Sequence, residues 1–137
     1  MATIEEAQVS YLLGYTALTA LIGMRLKPFH IPVGSELPCL TYKRIDTPRE
    51  LTHSSSGASG DVITPRFQYD SWAKTELEAQ AIATVLQGAM HMKKGSIGTA
   101  PYAKTVGLIR LDGGFPIYEA EIDVWRWVSQ YVIGMVE

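Results

Sequence analysis

The chain contains a single cysteine, Cys39, in 137 residues, so it has no internal disulfide. Set in the apolar stretch LPCLTY, this residue reads as a buried, inert thiol. No apolar run approaches the roughly 20 residues of a membrane span, and the N-terminal MATIEEAQ is acidic where a secretion signal is basic. The expectation is therefore no membrane association. Positive charge is scarce and scattered: 12 Lys and Arg stand against 14 Asp and Glu, a net charge of −2, with a pI near 5.9. Proteins that grip phosphate backbones usually cluster their cations and are basic overall, so tight nucleic-acid binding is disfavoured. The three histidines, His30, His53 and His91, lie far apart and at no spacing that metal sites use. His53 precedes Ser54, but nucleophilic catalysis needs a rigidly held base, and the surrounding Ser/Gly run offers none. GASGDV lacks the Lys-Ser/Thr of a phosphate loop and leads into a strand. Neither a catalytic residue nor a metal or cofactor site is expected.

What is present reads as one domain over residues 1–137, with 47% hydrophobic residues, enough for a single core. Thr3 followed by Glu6 is a capping box that starts a helix over about Ile4–Leu13. Gly14 stops it, and Thr16–Gly23 reads as a second short helix with its own glycine terminator. MRLKPF is a short extended piece and HIPVGSELP a connecting loop. Cys39–Ile45 reads as a half-buried strand with Leu40 and Tyr42 on one face and Thr41 and Lys43 on the other. Leu51–Asp61 is a Ser/Gly-rich loop. RFQYDSW then alternates Phe67, Tyr69 and Ser71 against Arg66, Gln68 and Asp70, the period of a sheet with one wet side. Thr75 and Glu78 repeat the capping box. Leu77, Ala81, Ile82, Val85, Leu86, Ala89 and Met90 recur at helical spacing up to Lys93, Lys94 and Gly95. Two further strand-like runs, TVGLIRL and IYEAEIDVWRW, flank DGGFP, whose Asp-Gly pair signals a hairpin turn. The class is α+β: a mostly antiparallel sheet with helices packed on one face, short N-terminal helices and a long flexible Ser/Gly loop.

On the last strand, Glu119, Glu121 and Asp123 alternate with apolar residues. Continued in register, the same face carries Trp125, Trp127 and Tyr131. Aromatic residues opposite the core require either a second layer, for which Tyr11 or Tyr15 would serve, or a partner. Lys43, Arg66 and Arg110 are the cations expected to balance the acids, within a subunit or across a contact.

The order YTALTALIGMRLKPFHIPVGSELPCLTYKRID, a loop, then RFQYDSWAKTELEAQAIATVLQGAM resembles the tail completion, or tail terminator, family of long-tailed bacteriophages. The resemblance rests on Gly23 and Arg25, on Leu37 and Pro38, and on Arg66, Gln68, Asp70 and Trp72, and runs in register from Tyr11 to about Met90. It implies a structural virion protein without catalytic residues or cofactors, assembled in the host cytoplasm. Six copies would form a ring on the head-proximal end of the tail tube, end its polymerisation and offer a surface to the head connector. The partners implied are further copies of the chain, the tail tube protein and a head connector or stopper protein. DNA would pass through without tight or specific binding. A head-closure protein of the neck is the alternative, and an enzyme or small-ligand binder a more distant one. The candidate contact residues are Lys43, Arg66, Asp70, Arg110, Glu119, Glu121, Asp123, Trp125, Trp127 and Tyr131. Thr52, His53, Ser54, Ser55, Ser56, Gly57, Ala58, Ser59 and Gly60 form a candidate docking loop that orders against a neighbour.

Overall fold

The computed structural model describes residues 3–29, 36–50 and 62–136. The expected docking loop, Thr52 to Gly60, and the histidines His30 and His53 lie outside the described residues. Among the described residues three helices, α1 (Ile4–Leu13), α2 (Thr16–Ile22) and α3 (Glu76–Met90), accompany nine strands. These are β1 (Leu26–Pro28), β2 (Cys39–Asp46), β3 (Arg49–Glu50), β4 (Val62–Ile63), β5 (Arg66–Ala73), β6 (Gly95–Ile97), β7 (Lys104–Val106), β8 (Leu108–Glu119) and β9 (Val124–Val136).

The main sheet runs β1-β2-β5-β9, with β8 on the far side of β9, while β4 and then β3 extend from the C-terminal end of β9. Every pairing is antiparallel except β1 with β2. Gly95–Ile97 and Lys104–Val106 form a separate two-stranded ribbon. The fold is thus α+β, as the sequence pattern implies, and all three helices lie on one side of the sheet.

The N-terminal capping box forms as expected: Thr3 Oγ1 accepts from Glu6 N at 3.1 Å and Glu6 Oε1 accepts from Thr3 N at 3.1 Å. Ile4, Ala7, Gln8 and Leu12 of α1 turn to the core. Tyr69, fully enclosed at the sheet centre, donates its hydroxyl to Gln8 Oε1 at 2.6 Å, and Gln8 in turn donates to Ile4 O at 3.2 Å. A buried amide is stable only when satisfied in this way. The α1 helix is also held by Tyr11 donating to Ala89 O at 2.7 Å and by a two-pronged pair of Arg44 with Glu5, at 2.7 and 3.1 Å. Gly23 ends α2 at φ 62°, a conformation few side chains tolerate. Arg25 Nε then donates to Pro38 O at 2.7 Å, so the Gly23, Arg25 and Leu37-Pro38 elements meet in space.

Three expectations are corrected. The buried stripe of α3 is Ala79, Ile82, Ala83, Leu86, Ala89 and Met90, and Leu77 and Ala81 are exposed; the alanines at the contact let the helix lie close to the aromatic sheet. The helix ends at Met90 rather than near Lys93, because His91 is extended and Met92 left-handed at φ 67°. DGGFP is not a turn: β8 runs through it, with a bulge between Leu111 and Gly113, and the hairpin turns at Ala120–Asp123. Glycine is needed at 114 for close approach, since a Cβ there would stand 2.9 Å from Trp127 Nε1 and 3.1 Å from Val128 O.

Candidate functional site

Alternation on β5 sends Phe67, Tyr69 and Ser71 under the helices and Arg66, Gln68, Asp70 and Trp72 to the helix-free face. The register sets Thr41 and Lys43 of β2 beside Asp70 and Gln68, and Arg126, Val128 and Gln130 of β9 beside Trp72, Asp70 and Gln68. These side chains form a connected polar network. Arg126 Nη1 pairs with Asp70 Oδ2 at 3.3 Å, and its Nη2 with Glu119 Oε1 at 2.7 Å. Its guanidinium lies 5.2 Å from the Trp72 ring centroid, a cation–π distance. Gln68 donates to the other oxygen of Asp70 at 3.0 Å, and Trp72 Nε1 donates to Thr41 Oγ1 at 2.9 Å. The Asp70 side chain is only 7% exposed, so its charge depends on these partners. Arg126 is the residue sequence reasoning missed. Its position between Trp125 and Trp127 fixed its face relative to them, but only the register with β5 sets it over Trp72.

The acids do not share a strand face. Glu119 closes β8, Glu121 stands exposed in the turn, and Asp123 takes φ 50° at its end. Asp123 accepts from the Tyr118 hydroxyl, a bond that raises the Tyr118 pKa. Lys43 is half-buried on the open face beside Gln68. Arg66 pairs with Asp46 at 3.7 Å and Arg110 with Asp112 at 3.9 Å, so these cations meet neighbours on their own or adjoining strand.

The aromatic face also needs correction, because Trp125, Trp127 and Tyr131 lie on the helix side of the sheet. Tyr131 pairs with Phe67 and is fully buried, with an edge-on contact to Tyr69 at 5.8 Å. Its hydroxyl has no hydrogen-bond partner among the described residues, and burial pushes its pKa far up. Tyr131 is therefore a core residue. Trp125 and Trp127 are half-buried towards the end of the helical layer, Trp125 packing tilted against Tyr118 with ring centroids 5.0 Å apart. Neither Tyr11 nor Tyr15 needs to cover them.

A second concave feature flanks α1. A groove of about 420 Å³ is lined by Val9, Leu13, Tyr42 and Tyr102, with Glu5 and Glu6 at its edge. Among the described residues no group of three or more His, Cys, Asp or Glu side chains is arranged to hold a metal, and no helix is long and apolar enough to cross a membrane.

Residues 7–135 match the family model described as Tail completion protein gp17. Among solved structures, a chain of the virion of a native gene transfer agent particle is similar with a TM-score of 0.74 and 12% sequence identity, over 96% of this chain and 92% of that one. At that identity the likeness establishes a shared fold. No curated protein matches the sequence.

Proposed function

The chain belongs to the tail completion protein family of phages and is a structural component of the virion, and from that premise we propose that it acts as a homo-hexameric ring at the head-proximal end of the tail tube. There it ends tube polymerisation and offers the surface that a head connector or stopper protein meets. The observation that supports this reading best is the one-sided layering. A sheet with helices on a single face leaves Gln68, Trp72, Arg126 and Gln130 on a broad second face, the first three held in fixed geometry by their own network. Such pre-ordered surfaces lose little entropy on association.

The near-neutral charge of −2 suits a ring that DNA traverses, since each Lys or Arg contact to phosphate would add affinity and slow passage. Trp125 and Trp127 are the apolar anchors available to subunit contacts, with Glu121 and Arg110 at the rim setting registration. Electron microscopy of the purified protein mixed with tail tubes tests the proposal. The expected image is a six-fold ring on one end of each tube. Monomers on the tube, decoration along its length, or binding only to the portal side of the neck would refute it.

A further inference from the structure

We propose that Met92 of one subunit seats in the groove beside α1 of the next copy; this rests on the ring reading and names a contact that joins its neighbours. Met92 is 61% exposed and is held at φ 67°, a left-handed conformation unfavourable for any residue with a Cβ. The loop carrying it is firmly tied. Met92 N donates to Ile109 O at 2.7 Å, Ile109 N to Lys93 O at 2.8 Å, and Leu111 N to His91 Nδ1 at 2.9 Å. The chain thus fixes a flexible apolar side chain, most of it exposed, on a strained but anchored turn. Methionine is suited to such a role because its unbranched thioether fills irregular apolar sites.

The groove has the complementary character. Its floor is Val9, Leu13, Tyr42 and Tyr102 and its edge carries Glu5 and Glu6, whereas Met92 is followed by Lys93 and the exposed Lys94. Glu5 is already held by Arg44 and Lys93 by the Tyr11 ring, so it is Lys94 meeting Glu6 that would orient the apolar insertion. Knob and groove cannot meet within one subunit. Lys93 lies over Tyr11, 5.3 Å from its ring centroid, and at about 100° per residue Tyr11 stands on the flank of α1 roughly opposite Val9 and Leu13. A knob and a socket on opposite flanks make a head-to-tail contact, which propagates around a ring instead of closing as a two-fold pair.

The test uses the full chain, alone and on tail tubes. Met92→Gly removes the knob and relieves the backbone, so its melting temperature should equal or exceed that of the wild type while ring formation by native mass spectrometry weakens tenfold or more. A variant carrying both Val9→Cys and Met92→Cys should give, on oxidation, a covalent ladder reaching the full ring, and neither single variant should. Cys39 is buried and does not compete. If wild-type protein never assembles on tubes, the ring reading itself fails and the contact with it. If rings form with Met92→Gly as readily as with the wild type, or the double-cysteine variant yields no ladder within intact rings, the contact alone is overturned. Intact Met92→Gly rings that no longer hold the tube would assign the knob to the tube protein and likewise overturn it.

Discussion

Replacing Arg126 by Met strands the charge of Asp70. In the wild type Asp70 is 7% exposed and holds Arg126 at 3.3 Å and the Gln68 amide at 3.0 Å; the variant keeps only the amide. Removing one member of a buried pair destabilises by about 3–5 kcal/mol. The Arg126 side chain is 21% exposed, so water reaches the site and about 3 kcal/mol is the appropriate figure. Loss of the stack on Trp72 adds about 0.5–1 kcal/mol. The pair with Glu119, itself 35% exposed, adds no more than about 1 kcal/mol. The total is about 4 kcal/mol, equivalent to a fall in Tm of about 12 °C for a domain of this size. Adding Asp70→Asn to Arg126→Met removes the stranded charge and should recover about 2 kcal/mol, a coupling that a double-mutant cycle reads directly. Glu119→Ala should lose less than about 1 kcal/mol. Urea unfolding followed by circular dichroism, with unchanged m-values, gives all of these numbers. An Arg126→Met variant within about 0.5 kcal/mol of the wild type, or losses at Asp70 and Arg126 that simply add, would show that the network contributes nothing beyond packing.

Burial raises the Cys39 thiol from 9.0 to about 11 and raises Tyr69 and Tyr131 as well. Because these folded pKa values exceed the unfolded ones, the associated stability is whole below pH 9 and lost as pH rises through about 11; urea midpoints at stepwise pH should be level and then fall. The same thiol should resist iodoacetamide at pH 8, where about one molecule in a thousand is thiolate, and react at once in denaturant. Tyr69→Phe should destabilise by about 1 kcal/mol, and Gln8→Ala by about 2–3 kcal/mol because it leaves the enclosed Tyr69 hydroxyl without an acceptor; thermal melts of the two variants check the order. Trp127→Ala should weaken ring assembly by about 2 kcal/mol per contact and Glu121→Ala far less, read from the mass of each variant on tail tubes, and equal effects would refute the ranking.

Much of the fold is written locally. The Thr3 and Glu6 pair marks the start of α1 because capping is a matter of neighbouring residues, and the alternation of β5 assigns Phe67 and Tyr69 to the core for the same reason. What failed depended on distant strands. Asp112-Gly113 carries a turn signature, yet Gly113 only follows a bulge and Gly114 serves the approach of the Trp127 indole, and only the β8–β9 pairing reveals that use. The last strand has two faces with apolar residues, Trp125, Trp127 and Tyr131 on one and Val128 and Val132 on the other. Nothing within β9 says which lies under the helices; register against Phe67 decides it. Arg126 escaped notice on the same ground, since its partners Asp70 and Trp72 lie more than fifty residues away in sequence.

The outer side of β8 also bears on how the subunit survives before it is used. Along its first half, Met92 and Lys93 already occupy both outward groups of Ile109, and the His91 ring the N–H of Leu111. Beyond the bulge the outward positions become 114, 116 and 118, and the middle one is Pro116, which has no N–H to give. A passing strand therefore meets an interrupted row of donors, so fibrous growth from this margin has no continuous template.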